Sequence, residues 1–414
     1  MSSDGISLYI HIPFCKSKCI YCDFFSRPGC ELYFEDYVDA LCKEIKFYSF
    51  GLSNSVLNTL YIGGGTPSLL SVELLQKVFT CIKNNFQFNK NFEATIELNP
   101  DDVSEKLISF LDSSIINRIS IGIQSLKNST LKFIERRADR DTSLSALKII
   151  SKNFSKRLSV DLIAGLPYET SDDLKTNIDE LLTFNPEHFS LYSLCIEEGT
   201  KLYRLIEENK IDYNSETSDE VYLYAKKYLE EKGFAQYEIS NYSKDENSQS
   251  RHNKVYWHLE NYLGCGSGAT GTIFYQNENS IRWTNTNDIE KYISFWKNFT
   301  VTDEIKKINF CKEKNISVIR NAFEKIPLET EIIDKETEEF EFFMMNFRLS
   351  EGVSKNRYEK RFKKQIEEVN VIKNKTFEKW VNEKKAEIIK TDDDVYYVLN
   401  ENGRLFLNSF LEQL

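Results

Sequence analysis

The segment Thr59-Leu-Tyr-Ile-Gly-Gly-Gly-Thr-Pro-Ser68 reads as a short strand running without a break into a glycine turn. From about Ser71 a helical pattern follows, with Leu74, Leu75, Val78 and Phe79 on one face. This is one strand–turn–helix unit, and the chain repeats it. On the N-terminal side lie a buried strand over 7–12 and a helix over Tyr33–Tyr48. On the C-terminal side come a strand over Ala94–Leu98, a helix over Asp102–Leu111, and a strand over Arg118–Ile123 closed by Gln124. A helix over Thr142–Asn153, a strand over Leu158–Ile163, a helix over Ser171–Leu182 and a strand over Phe189–Leu194 complete the series. Strands alternating with helices imply βαβ units and a parallel sheet. Right-handed crossovers curl such a sheet into a barrel or part of one, and six units fall short of the closed eightfold form.

In barrel-type sheets the chemistry sits at the C-terminal ends of the strands. Here those ends carry Gly63-Gly64-Gly65, Glu97, Gln124, Asp161 and Ser193. Taken singly, each also suits a turn or a helix cap. The glycine run matches neither G-x-x-x-x-G-K-[ST] nor G-x-G-x-x-G. It either forms a tight turn or lets the backbone approach a ligand.

The exit of the first strand is more specific. Cys15-Lys-Ser-Lys-Cys19-Ile-Tyr-Cys22 places three thiols in the spacing C-x3-C-x2-C. A mononuclear zinc site would want a fourth Cys or His ligand. A [4Fe–4S] cluster normally takes four cysteines, so three leave one iron open.

Beyond 200 the pattern loosens. A helix is expected over Ser218–Lys232, with Val221, Tyr224, Ala225 and Tyr228 on one face, then a strand over Tyr237–Asn241 and a polar loop over Ser243–Ser250. His252, one of four histidines, precedes Tyr256 and Trp257. It is either a satisfied core residue or a ligand for heme iron against an aromatic wall. Leu263–Gly271 is glycine-dense and reads as a close-approach turn. Residues 301–335 are charged and weakly periodic. A helix over Glu336–Leu349 carries Phe340, Phe343, Met344 and Phe347. Helices near Lys355–Val369 and Lys375–Lys385, a hairpin from 387–390 to 395–399, and a last helix from about Arg404 suggest a winged-helix-like unit.

The 414 residues are enough for one large domain and a smaller one, and 41% hydrophobic with 28% charged residues fits a globular protein. The net charge of −11 argues against nucleic acid as a partner. No apolar run reaches transmembrane length and no leader pattern is present, so a cytoplasmic location without an encoded membrane anchor is expected. Nine cysteines without regular spacing outside the cluster argue against a disulfide framework and suit a reducing compartment.

Cys15-x3-Cys19-x2-Cys22 resembles the signature of the radical S-adenosylmethionine (SAM) superfamily. Tyr9-Ile-His-Ile-Pro-Phe-Cys15, Ile62–Ser68, Ile121-Gly-Ile-Gln-Ser125, Asp161–Pro167 and His252-Asn-Lys-Val-Tyr-Trp257 resemble the HemW heme chaperones. The resemblance implies an α/β fold: a partial (βα)6 TIM-type barrel of the radical SAM type with a small C-terminal winged-helix-like α+β domain. It divides the chain into a radical SAM core (1–235), a barrel extension carrying the His252–Trp257 motif (236–300) and a C-terminal helical and winged domain (301–414). It implies a [4Fe–4S] cluster on Cys15, Cys19 and Cys22. For SAM it implies contacts from Tyr9, Tyr21, Gly64, Gly65, Thr66, Glu97, Gln124, Arg136 and Asp161, with Ser193 and Thr270 as fainter candidates. His252 would contact heme, and heme would pass to acceptor proteins such as respiratory cytochromes. A homodimer is compatible with the family.

The competing branch is oxygen-independent coproporphyrinogen III oxidase, a radical decarboxylating enzyme of heme biosynthesis. Its pattern adds a fourth cysteine, C-x3-C-x2-C-x-C, where this chain has Asp23-Phe24. A different radical SAM reaction on heme is a further alternative. Thr270 stands where relatives often carry His, which implies a different arrangement around heme.

Overall fold

The computed structural model describes residues 5–52, 56–302, 308, 310 and 316–413. Six strands form its spine: β1 (Gly5–Ile12), β2 (Val56–Gly64), β3 (Gln87–Leu98), β4 (Arg118–Gln124), β5 (Arg157–Ala164) and β6 (His188–Ser193). Each pairs in parallel with the next. All six were expected from short apolar-rich runs bounded by turn residues; in β4 Ile119, Ile121 and Ile123 alternate with Ser120 and Gly122 and are buried.

The crossover helices begin where the sequence places caps. α1 spans Phe34–Phe50, and α2 (Val72–Asn85) starts at Ser71, whose hydroxyl accepts from Leu74 N. α3 (Glu105–Ser113) starts at Ser104. It begins later than expected because Pro100–Asp102 form a 3-10 turn first. α4 (Arg140–Asn153) starts at Asp139, and α5 (Ser171–Leu182) carries a full capping box between Thr170 and Asp173. Such caps contribute about 0.5–2 kcal/mol each. In α6 (Ser215–Glu231) the buried face uses Val221, Ala225 and Leu229, while Tyr224 is exposed.

The sheet continues past the six units on both sides, to twelve strands among the described residues. Beyond β6 lies a hairpin, β7 (Ala235–Gln236) and β8 (Asn241–Ser243). The strand expected over Tyr237–Asn241 is mostly the turn between these two. Tyr237 is buried there, its hydroxyl held by Ser250 N and His188 Nε2. The helix α7 (Arg251–Trp257) follows.

Beyond β1 lies β9 (Tyr262–Cys265), parallel to it, then an antiparallel run of β10 (Thr270–Ile273), β11 (Ser280–Asn285) and β12 (Leu328–Ile333). The glycine-dense stretch is therefore two strands and the turn between them. Gly266 has φ +104 and sits so close to β1 that an added Cβ would lie 2.4 Å from His11 O. Glu44 of α1 locks that turn. This buried carboxylate accepts from Gly266 N (2.7 Å), Asn285 Nδ2 (2.7 Å) and the Tyr292 hydroxyl (2.5 Å).

The C-terminal part has its own core, built on Phe342, Phe343, Phe347, Tyr358, Phe377, Trp380 and Phe410. A three-stranded sheet joins β13 (Val353–Ser354), β14 (Ala386–Lys390) and β15 (Val395–Leu399), with β15 in the middle. The expected hairpin is β14–β15. The helix Lys335–Asn346 buries Phe342 and Phe343 and leaves Phe340 exposed. The helix expected over Lys355–Val369 stops at Phe362, where Lys363 turns left-handed. Within the stretch expected to be charged and weakly periodic, residues 303–307, 309 and 311–315 lie outside the described residues.

Candidate functional site

The C-terminal ends of β1–β6 surround one cavity of about 420 Å³. The loop after β1 brings Cys15, Cys19, Tyr21 and Cys22 to its wall. That loop is held by backbone bonds independent of the thiols: Arg27 N to Pro13 O, Ile20 N to Ile134 O and Leu202 N to Ile20 O. The thiols are half-buried. Cys15 Sγ lies 3.4 Å from Thr66 Oγ1, and Arg136 Nη1 donates to Cys19 Sγ at 3.9 Å. Burial pushes the Cys22 thiol up. Among the described residues no three His, Cys, Asp or Glu side chains are drawn together for a single metal ion.

β2 delivers Gly64, Gly65 and Thr66. Gly64 has φ +112, a conformation costly for any L side chain. Gly65 N donates to Ile12 O at 2.9 Å, and an added Cβ there would lie 2.6 Å from Phe14 O. The glycine run is thus a cradle pressed against the backbone that leads into Cys15.

β3 delivers Glu97. Its Oε1 accepts from the Tyr61 hydroxyl at 2.7 Å and its Oε2 from Gly64 N at 3.2 Å. Burial, only partly offset by those bonds, pushes Glu97 up to about 7. β5 delivers Asp161, which accepts from Ser120 Oγ at 3.0 Å. Burial pushes it up to about 6 against the serine hydroxyls and the Arg118 and Arg136 charges. Two carboxyls near their titration points at the floor of a cavity suit a cationic ligand.

β4 ends in Gln124, whose φ of +68 is left-handed. A buried carboxyl behind it, Glu169, accepts from the Ser125 hydroxyl and from Asn177 Nδ2. Burial pushes Glu169 up to about 8. A carboxyl whose pKa is raised by folding contributes stability that is full below its unfolded value and is lost as pH rises through the folded value. Glu169→Gln keeps the shape and removes the ionisation. The wild type is therefore expected to lose roughly 1–3 kcal/mol relative to this variant between about pH 6 and 9, read from denaturant midpoints. A constant difference across that window would reject the assignment.

Gln124 and Arg136 both line the cavity, and Gln124 Oε1 and Arg136 Nε are buried without a hydrogen-bond partner. Such orphans fit a polar ligand that the protein completes only when bound. Together with the thiols, the cradle and the carboxylates, they fit SAM on an iron–sulfur cluster.

The structure brings Cys15, Cys19, Cys22, Tyr21, Gly64, Gly65, Thr66, Glu97, Gln124, Arg136, Asp161 and Ser193 to this one cavity. Three other expected residues stand elsewhere. Tyr9 lies behind the wall. His11 Nε2 must donate to the Phe25 carbonyl (2.9 Å), so its Nδ1 accepts the Tyr9 hydroxyl (2.8 Å). Thr270 pairs its hydroxyl with Thr284 on the β10–β11 hairpin. His252 is 1% exposed, with Nδ1 2.7 Å from Thr59 Oγ1 and Nε2 2.9 Å from the Tyr256 hydroxyl. Both ring nitrogens of this expected heme contact are thus engaged by hydroxyls, and it does not line the cavity. The lining also includes Phe24, Asn99, Arg137, Tyr192 and Cys195, which sequence reasoning left out as site residues. For Phe24, Asn99, Tyr192 and Cys195 the signal was position, within a few residues of a strand end or of Cys22; Arg137 adjoins Arg136.

Comparison with known proteins agrees with this geometry. Residues 9–181 match the Radical SAM superfamily. A heme chaperone HemW of Buchnera aphidicola subsp. Schizaphis graminum is 31% identical over 98% of this chain and 97% of its own length. The heme chaperone HemW of Lactococcus lactis is 30% identical over 88% of this chain and 86% of its own. That of Escherichia coli K12 is 28% identical over 98% and 97%. The crystallised coproporphyrinogen III oxidase HemN of Escherichia coli superposes with a TM-score of 0.75 over 99% of this chain and 89% of its own. At 17% identity that likeness speaks to the fold alone. Among the described residues no helix is long and apolar enough to cross a membrane.

Proposed function

The chain belongs to the HemW heme chaperones of the radical SAM superfamily, and on that premise we propose that it binds heme and hands it to acceptor proteins such as respiratory cytochromes. In this reading Cys15, Cys19 and Cys22 hold a [4Fe–4S] cluster. SAM fills the adjoining cavity. Gly64 and Gly65 admit it close to the backbone, Glu97 and Asp161 accept from its amino or ribose hydrogens, and Arg136 pairs its carboxylate. When bound, the cluster supplies one-electron chemistry and an open coordination position. Heme is cargo and not a resident group.

The observation that carries the choice is Phe24. It lines the cavity and is 73% exposed. The decarboxylating branch has a cysteine at this place. A large exposed ring beside a cavity gives an apolar macrocycle something to stack on, and it offers no thiol chemistry.

Anaerobic, cluster-loaded protein titrated with heme is expected to develop a saturable Soret band and to release heme to an apo-cytochrome. Conversion of coproporphyrinogen to protoporphyrinogen at a steady rate would overturn this reading in favour of the oxidase.

A further inference from the structure

Glu97 is held by a device that begins on the far side of the barrel. Thr59, Tyr61 and Gly63 alternate along β2 and so share one of its faces. Thr59 Oγ1 meets His252 Nδ1 at 2.7 Å. The His252 ring stacks on Tyr61, with centroids 5.2 Å apart and planes at 29°. Tyr61 donates to Glu97, and Glu97 in turn accepts from Gly64 N. At Gly63 an added Cβ would lie 2.8 Å from Glu97 Oε2 and 2.9 Å from Tyr61 Cε1. Only glycine leaves room for the pair.

The helix carrying His252 is itself fixed. Ser250 caps it, and His252 N donates to Glu93 Oε1 at 3.0 Å. Glu93 is buried and bridged to Arg157. On the outer side Lys254 and His258 both reach Glu351 of the C-terminal part, at 3.2 and 2.6 Å.

We propose that His252 is a positioning residue for the ligand-binding cavity: its ring backs Tyr61, Tyr61 aims Glu97, and Glu97 sets the Gly64 amide. Its imidazole is not an iron ligand, because Thr59 and Tyr256 occupy both nitrogens. The inference rests on the cavity being the SAM site and on heme iron being held elsewhere than on His252. It gives the His252–Trp257 motif a job on the SAM side of the molecule.

The test uses cluster-loaded full-length protein under anaerobic conditions. SAM is titrated against the wild type, His252→Ala, His252→Gln, Tyr61→Phe and the His252→Ala/Tyr61→Phe double variant. Binding is read from the shift of the reduced cluster's electron paramagnetic resonance signal, and heme binding from the Soret band in parallel. His252→Ala and Tyr61→Phe are each expected to weaken SAM by roughly 10- to 100-fold, the range seen when an outer partner of a ligating group is removed. The double variant is expected to be no weaker than the worse single one, because both act through one chain of contacts. Iron content and the heme spectrum stay as in the wild type.

Wild-type SAM affinity in His252→Ala, losses that add in the double variant, or loss of the heme spectrum would each overturn the proposal. Should His252→Ala fail to fold, His252→Gln and Tyr61→Phe carry the test. Gln can bond Thr59 and Tyr256 but lacks the ring, so it too must lose SAM affinity. A wild type that takes no SAM overturns the cavity reading and the inference with it. A wild type that binds SAM, beside an equally good His252→Ala, overturns the inference alone.

Discussion

Replacing Cys15, Cys19 or Cys22 with alanine is expected to leave a folded protein that no longer retains an iron–sulfur core. The fold should survive because the loop does not hang on its thiols. Its backbone is pinned at Ile20 by Ile134 and Leu202, and at Pro13 by Arg27. The three side chains are only half-buried, so their loss opens no core cavity. The cluster should not survive, because three local thiolates are already one short of the usual set. Cys195 also lines the cavity, but it is exposed and follows the far strand, β6. Iron and sulfide content after anaerobic reconstitution should fall by about tenfold or more in each variant, with circular dichroism unchanged. Full iron content in any one of them would remove that cysteine from the ligand set.

A larger effect on both stability and loading is expected from Gly65→Ala. The new methyl would meet Phe14 O at 2.6 Å and Ile12 O at 3.0 Å, both backbone atoms. Neither can step aside easily. Phe14 is fully buried, its ring 4.7 Å from that of Phe34 and 5.0 Å from that of Tyr37. Overpacking of this kind costs about 1–3 kcal/mol. What yields is the exit of β1, and Cys15 is the next residue after Phe14. The unfolding midpoint of the apoprotein and the iron content of the reconstituted protein should therefore fall together. Gly29→Ala is the control. Gly29 is left-handed, at φ +73, and nothing lies within 4 Å of its added Cβ. It should cost roughly 1–2 kcal/mol of backbone strain and leave loading intact. Equal behaviour of the two variants would refute the contact argument.

The parallel spine was readable because its physics is local. A buried parallel strand is rich in apolar residues, and crossover helices tend to start on a cap, so β1–β6 and α2–α5 announce themselves. The far side of the sheet was not readable for the same reason. β9 contains Gly264, which weakens any strand signal, and the strand exists because the glycine lets the Thr270 backbone come close. Tyr237 and Ile239 imitate strand alternation, but Tyr237 is buried to bond His188 and Ser250, and that requirement makes a turn. The cavity followed the same division. Residues at strand ends could be placed from sequence, since strand ends converge on one rim. His252 could not, because a histidine followed by aromatics reads alike whether it meets a ligand or a tyrosine.

The pairing of β9 with β1 has a consequence for how the chain becomes a protein. β1 leaves the ribosome first, and one of its two neighbours, β2, follows within about fifty residues. The other is Tyr262–Cys265, more than halfway along the chain. Until that segment is made, the strand leading to Cys15 has a bare edge, and the Gly266 turn that packs on His11 does not exist. Closing so long a loop is slow. Ordering of the strand that leads to Cys15 is thereby tied to late synthesis: a nascent chain that has just displayed all three cysteines does not yet have the strand that pairs with β1 on this side.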